Sequence, residues 1–217
     1  NISYAEQPKP EGIAQAFIIG KEFIGNDHVS LVLGDNIFFG EHFTTKLEDA
    51  NSLINGATVF GYYAPDPGRF GVVEFDKNGK VLGIEEKPKN PKSNYVITGL
   101  YFYDNQVVDI AKEIRPSKRG ELEITDINNI YLKKNLLNIT LLGRGFAWLD
   151  TGTHESLLEA SKFVQSIESR QGLKIACLEE IAYKKGWITN EELLKQSKSL
   201  KNSGYGSYLS VLAKGDK

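Results

Sequence analysis

Val29-Ser30-Leu31-Val32-Leu33-Gly34-Asp35-Asn36 is the stretch on which the fold reading turns. An apolar run closed by Gly-Asp-Asn suits a parallel strand covered on both faces, with polar residues at its carboxyl end. In open α/β sheets, ligands gather at that end. Upstream, a short strand over 2–6 leads through Pro8-Lys9-Pro10-Glu11-Gly12 into an amphipathic helix over 13–23. Downstream, helical spacing over 41–54 gives way to a strand over 57–64 that is rich in Val, Phe and Tyr. This alternation predicts an α/β core.

Beyond the core elements, two β segments at 72–76 and 80–85 flank Lys77-Asn78-Gly79, where Asn-Gly can take the positive φ angles of a tight hairpin. An antiparallel insert is therefore expected. A strand over 95–103, helices over 106–114 and 122–133, and a short strand over 139–142 follow. After Thr153 the character changes. Leu157, Ala160, Val164 and Ile167 fall on one helical face, and Thr189 with Glu192 has capping-box spacing. The expected domains are a core over 1–153 and a helical extension over 154–217.

The bulk composition narrows the function classes. Twenty-six basic residues against 28 acidic ones leave no basic footprint for nucleic acid or a membrane surface. No apolar run approaches the ~20 residues that span a bilayer. The single cysteine, Cys177, cannot form an internal disulfide and has no companion ligands for structural zinc, which fits a reducing cytoplasm. The chain begins at Asn1 and contains no methionine, so a preceding segment of the gene product is expected to be absent.

Several residues have the chemistry of a phosphate and sugar site. Asp35, at a strand mouth, either holds a hard divalent cation beside a phosphate or caps the following turn. Trp148-Leu149-Asp150-Thr151-Gly152-Thr153 is either a ligand loop or a helix entry with Thr153 as N-cap. Nothing in the spacing says that Asp35 and Asp150 meet. Glu85-Glu86-Lys87-Pro88 ends a strand with charge, because proline stops the ladder; Glu86 and Lys87 either face a site or are simply solvated. Phe70-Gly71-Val72 and Thr98-Gly99 offer bare backbone to a sugar, and Arg119-Gly120-Glu121 a guanidinium to a phosphate. His28, His42 and His154 have no ligand or nucleophile spacing, and there is neither a P-loop nor a dinucleotide fingerprint.

Longer strings then point to a family. Tyr4-Ala5-Glu6-Gln7-Pro8, Leu33-Gly34-Asp35-Asn36-Ile37-Phe38, Gly71-Val72-Val73-Glu74-Phe75, Glu86-Lys87-Pro88, Thr98-Gly99-Leu100-Tyr101-Phe102-Tyr103-Asp104, Arg119-Gly120-Glu121-Leu122-Glu123-Ile124-Thr125-Asp126 and Gly145-Phe146-Ala147-Trp148-Leu149-Asp150-Thr151-Gly152-Thr153 together resemble the bacterial glucose-1-phosphate thymidylyltransferases in order and spacing. The resemblance implies a three-layer αβα nucleotidyltransferase core with a mixed, mostly parallel sheet, incomplete at the amino terminus, an antiparallel sugar-binding insert and a helical C-terminal extension. It implies thymidylyl transfer from dTTP to glucose 1-phosphate, giving dTDP-glucose and pyrophosphate, as the first step towards dTDP-rhamnose and related deoxysugars for polysaccharide biosynthesis.

By the same resemblance, Gln7 and Gly12 face the thymine nucleotide, and Asp35 and Asp150 hold Mg²⁺. Gly71, Glu86, Lys87, Ile97 and Tyr101 form the glucose 1-phosphate pocket, with Arg119 toward its phosphate, and Lys87 joins the two aspartates as catalytic. Similar enzymes are homotetramers with a second nucleotide site, inhibited by dTDP-rhamnose, to which Gly40, Arg144, Cys177, Glu180 and Ile181 correspond by position. The family's Gly-Gly-x-Gly-Thr-Arg-Leu phosphate segment would lie upstream of Asn1, so this chain alone is expected to have little activity. Two alternatives remain: the same fold using UTP or CTP, and a non-catalytic sugar-nucleotide-binding module.

Overall fold

The computed structural model describes residues 2–215. The chain divides into two compact units, Asn1–Asp150 and Thr151–Lys217. Residues 2–6 have no regular secondary structure rather than the strand expected there: Pro8 and Pro10 sit next to them and can donate nothing to a ladder. The helix expected over 13–23 is broken into α1 (Gln15–Ile19) and α2 (Lys21–Ile24) at Gly20. Phe17 and Ile24 point into the core, while Phe23 is exposed.

There follow β1 (Val29–Val32), β2 (Asn36–Phe39), α3 (Phe43–Asn51), β3 (Ala57–Tyr63), a single 3₁₀ turn, β4 (Gly71–Phe75), β5 (Val81–Glu86), β6 (Tyr95–Tyr103), α4 (Val107–Glu113), α5 (Ile124–Lys133), β7 (Leu137–Leu142) and β8 (Ala147–Asp150). The main sheet runs β5-β4-β6-β3-β7, with β1 also on β6. Long, almost wholly buried β6 is the hub: β3 pairs along one edge, while β1 (Val32↔Leu100) and β4 (Val72↔Val96) share the other.

The sheet is mixed, as expected, but the balance of its pairs differs. Among the described strands only β3 and β7 pair in parallel, because β6 runs against β1, β3 and β4 and so separates strands that point the same way. The reading of 29–33 as a parallel strand covered on both faces is likewise corrected. β1 pairs antiparallel, and its burial alternates, leaving Val32 56% exposed. The doubly covered strands are β3 and β6, whose apolar runs are longer.

Alternate residues of those two strands feed two cores, as the period of two requires. Ala57, Val59, Tyr101 and Tyr103 pack with Phe17, Val107, Ile127 and Tyr131 from α1, α4 and α5. Phe60 and Leu100 pack on the opposite side with Ala50 from α3 and with Phe38, Phe43 and Phe146. Helix, sheet and helix therefore form three layers.

The hairpin β4–β5 turns through Asp76–Lys80. Gly79 takes φ +81°, and Asp76 accepts the Asn78 and Lys80 N–H groups at 2.8 Å each. Asn78 keeps a negative φ, so this is a three-residue turn with a bulge rather than a two-residue one. Farther along, Asp104 ties the layers together. Only 5% exposed, it accepts hydrogen bonds from Gly56 N (2.6 Å), Gln106 N (3.1 Å), Gln106 Nε2 (2.7 Å) and the Tyr131 hydroxyl (2.7 Å). Burial pushes its pKa up, but these donors outweigh it and hold the carboxyl below its ordinary range.

Unit two is helical: α6 (His154–Gln171), α7 (Leu178–Lys184), α8 (Asn190–Ser199) and α9 (Gly204–Ala213). Thr153 caps α6 in a capping box with Ser156, and Thr189 caps α8 with Glu192 at the spacing the sequence suggests. Leu193, Leu209, Leu212 and Cys177 form its core. No helix among the described residues is long and apolar enough to cross a membrane.

Candidate active site

The element that builds the site is one the sequence reading did not contain. After Leu33 the chain turns, closed by the Asn36 N–H donating to Leu33 O at 3.1 Å, and enters β2. β2 pairs antiparallel with β8 in a separate two-stranded ladder whose register sets Asn36 opposite Asp150 and Phe38 opposite Trp148. Asp35 and Asp150, far apart in sequence, thus arrive at the same end of one ladder. Both line a single open cleft.

The same cleft is lined by Gly71, Glu86, Lys87, Ile97 and Tyr101, all nominated from the sequence, and by Arg69, Phe70, Thr98, Gly99 and Trp148. β4 and β5 place the sugar-side group through register, since Gly71 is paired with Glu86. A Cβ on Gly71 would lie 3.1 Å from Thr125 Oγ1 and 3.5 Å from Glu86 Oε2, so the bare backbone leaves Glu86 room. Lys87 has φ +42°, an unusual conformation for a side-chain-bearing residue, fixed by its N–H donating to Phe70 O at 3.0 Å and by the proline that follows.

Glu86 accepts the Thr125 hydroxyl at 2.5 Å. Burial raises its pKa above the ordinary glutamate range. The Thr125 bond opposes that, Glu123 adds to the rise, and Lys87 and Arg119 pull it down. Burial also pushes the Tyr101 hydroxyl up, and the Glu86 charge reinforces this. In the same wall the Thr98 hydroxyl is buried with no hydrogen-bond partner among the described residues. Trp148 closes one side, its ring 4.9 Å from Phe70 and 5.7 Å from Tyr62, centroid to centroid.

Two carboxylates are a fitting donor set for Mg²⁺, which is usually held by one or two carboxylates plus substrate phosphates. No cluster of three or more His, Cys, Asp or Glu side chains suited to a metal occurs among the described residues, so an all-protein cage is not what this cleft offers.

The nucleotidyl transferase family matches residues 1–167. A glucose-1-phosphate thymidylyltransferase from Neisseria meningitidis is 58% identical over 214 residues, which is 99% of this chain and 74% of that protein. The chain belongs to the glucose-1-phosphate thymidylyltransferases. Among solved structures, a Bacillus anthracis protein assigned to the same enzyme, in complex with sucrose, superposes with a TM-score of 0.63 at 46% identity, covering 72% of this chain and 62% of that one. UDP-glucose pyrophosphorylase complexed with UDP-glucose matches at TM-score 0.64 and 22% identity, over 76% of this chain and 66% of that one; this likeness concerns the fold alone.

Other residues that the thymidylyltransferase resemblance singles out lie elsewhere. Gln7 and Gly12 are brought to each other, Gln7 Nε2 donating to Gly12 O (3.1 Å) and to Gln15 Oε1 (2.7 Å), but they are not cleft-lining; their neighbour Ile13 is. Gly12 has φ +104° and abuts the Leu122 backbone, where a Cβ would come within 2.3 Å of the carbonyl oxygen. Arg119 departs from the expectation. Its guanidinium donates to Glu121 Oε2 (2.7 Å) and to both oxygens of Glu123 (3.1 Å each), and it does not line the cleft. Two carboxylates of its own loop capture it.

Of the second-site residues, Gly40 and Arg144 belong to unit one, and Cys177, Glu180 and Ile181 to unit two. Gly40 lies against the Phe146 ring, and Arg144 lines a hollow with Tyr62, Tyr63 and Tyr95. Glu180 is buried and accepts from the Tyr208 hydroxyl and Lys184 Nζ at 2.5 Å each. Cys177 is buried with its sulfur 3.1 Å from the Tyr205 hydroxyl, and Ile181 is exposed.

Sequence reasoning missed Asn36, Trp148 and Thr125 as site residues. Each stood inside a string already quoted. What was not visible was the β2–β8 pairing that turns Asn36 and Trp148 toward Asp35, and the helix register that sets Thr125 on Glu86.

Proposed function

We propose that the intact gene product carries out magnesium-dependent thymidylyl transfer: a phosphate oxygen of glucose 1-phosphate attacks the α-phosphorus of dTTP, pyrophosphate leaves, and dTDP-glucose is formed. The observation that supports this most is the β2–β8 register, which delivers Asp35 and Asp150 to the cleft that also holds Glu86 and Lys87. A phosphate monoester is an adequate nucleophile, so no covalent enzyme intermediate is needed. The residues have to position the reactants in line and offset charge.

In this reading Asp35 and Asp150 hold Mg²⁺, which when bound offsets phosphate charge. Lys87 presents its ammonium to the sugar phosphate from its constrained backbone. Glu86, oriented by Thr125, accepts sugar hydroxyl protons, and such a site rejects sugars whose hydroxyls point elsewhere because its buried groups would be left unpaired. Gln7 and Gly12 would face the thymine, Ile97 and Tyr101 the hexose, and Arg119 would reach the phosphate on leaving Glu121 and Glu123. The test is pyrophosphate release with dTTP, UTP and CTP in competition: preference for dTTP supports the reading, and equal use of the three overturns the thymidylyl assignment.

The product would feed dTDP-rhamnose and polysaccharide synthesis in the cytoplasm, the compartment that a lone buried cysteine suits. A homotetramer with dTDP-rhamnose feedback through Gly40, Arg144, Cys177, Glu180 and Ile181 belongs to the same proposal. Inhibition by dTDP-rhamnose that survives Glu180→Ala would remove the regulatory part.

A further inference from the structure

Asn36 sits where three pieces of the site join. Its Oδ1 accepts the Trp148 indole N–H at 2.6 Å and the Gly99 backbone N–H at 3.0 Å, while its Nδ2 donates to Asp35 Oδ1 at 2.8 Å. The amide can face only one way. Reversed, its NH₂ would meet two donors and its oxygen would meet a carboxylate. The approach to β6 also depends on the absence of a side chain, since a Cβ on Gly99 would lie 2.5 Å from Asn36 Oδ1.

We infer that Asn36 is a positioning residue for the Asp35–Asp150 pair, its amide setting the rotation of the Asp35 carboxylate by reference to β6 and β8. The inference rests on the reading that these two aspartates hold a divalent cation. One oxygen of Asp35 takes the amide proton, which decides how the carboxylate is presented to the cation. The opposite side of the same amide is held by Trp148, two residues before Asp150 on the paired strand. A carboxylate that loses a hydrogen bond fixing its orientation binds a cation more weakly, and loss of such a partner of a metal ligand costs about 10–100-fold in affinity.

The experiment is a Mn²⁺ titration followed by electron paramagnetic resonance on the intact gene product, with parent, Asp35→Asn, Asn36→Ala and Trp148→Phe compared at equal folded concentration checked by circular dichroism. Asp35→Asn should lose the site. Asn36→Ala should weaken Mn²⁺ binding by about tenfold. Trp148→Phe keeps a ring against Phe70 and Tyr62 but removes the indole donor, and should weaken it by a smaller factor, about threefold. Retention of Mn²⁺ affinity within about twofold by Asn36→Ala and Trp148→Phe, while Asp35→Asn loses it, overturns the inference and leaves the carboxylate reading standing. A raised KM for glucose 1-phosphate with an unchanged Mn²⁺ titration also overturns it, since Asn36 would then act on the sugar. Undiminished binding by Asp35→Asn sinks both. Should Asn36→Ala fail to fold, the Trp148→Phe titration decides alone.

Discussion

Asp104, just after β6, and Glu86, at the end of β5, are carboxylates that both accept a hydroxyl from α5, and the protein treats them in opposite ways. Among the described residues Asp104 receives four donors and is held below the ordinary aspartate range, whereas Glu86 receives the Thr125 hydroxyl and is held above the ordinary glutamate range. The first is a finished structural joint. The second lines a cleft and keeps acceptor capacity to spare, which suits the sugar-binding role proposed for it.

The largest expected effect is on the finished joint. Asp104→Ala strands the Gly56 and Gln106 N–H groups and the Tyr131 hydroxyl, and should cost on the order of 3 kcal/mol in urea unfolding, with little change in turnover per folded molecule. Because folding lowers the Asp104 pKa, its contribution is present above the unfolded-state pKa and lost as pH falls through the folded one. The acid limb of the stability curve should therefore be flatter in the variant. An unchanged acid limb would break the comparison at its first term.

Glu86→Gln should behave in reverse. It should lower kcat/KM for glucose 1-phosphate by about 10–100-fold, the worth of a hydrogen bond to a charged group, while raising the melting temperature at neutral pH. Folding raises this pKa, so the group's contribution is present below the unfolded-state value and lost as pH rises through the folded value. The advantage of the variant should close on acidification below the ordinary glutamate range. A variant that melts lower than the parent at pH 7 would place Glu86 with Asp104.

Thr125→Val removes the donor that Glu86 has among the described residues. Loss of that bond should reduce kcat/KM by about fivefold and raise the Glu86 pKa further, moving the acid limb of the pH–activity profile upward. The smallest effect belongs to Thr98→Val, which replaces an unpaired buried hydroxyl by a methyl. Stability should be unchanged or slightly higher, and KM for the sugar phosphate should stay within about twofold of the parent. A destabilised Thr98→Val protein would show that the hydroxyl already has a partner in solution.

Much of this molecule was readable in one dimension, and the unreadable part has a physical pattern. The strand at 95–103, the helix starts at Thr153 and Thr189 and the insert hairpin follow from local rules of alternation, capping and turn chemistry. The role of 29–33 did not, because an apolar run says that a strand is covered and not which way its neighbour runs; β6, the neighbour, comes nearly seventy residues later. The irregular start at 2–6 was misread as a strand because its composition suits one, although two prolines sit beside it.

At the site, Asp35, Gly71, Glu86, Lys87 and Asp150 were nominated by residue type and resemblance, and all line one cleft. Arg119 was nominated on the same grounds and is held instead by Glu121 and Glu123, a competition between neighbours that residue type alone cannot weigh. Asn36 has no charge and no motif of its own; its place depends on a ladder between segments more than a hundred residues apart.

The most direct test of the account is the rate of pyrophosphate release from dTTP and glucose 1-phosphate with saturating Mg²⁺, in the intact gene product and in its Asp35→Asn and Asp150→Asn variants. If the two carboxylates share one cation at the phosphates, each variant stays folded and loses about 10²–10³-fold in kcat. Turnover within a few-fold of the parent in either variant would contradict it.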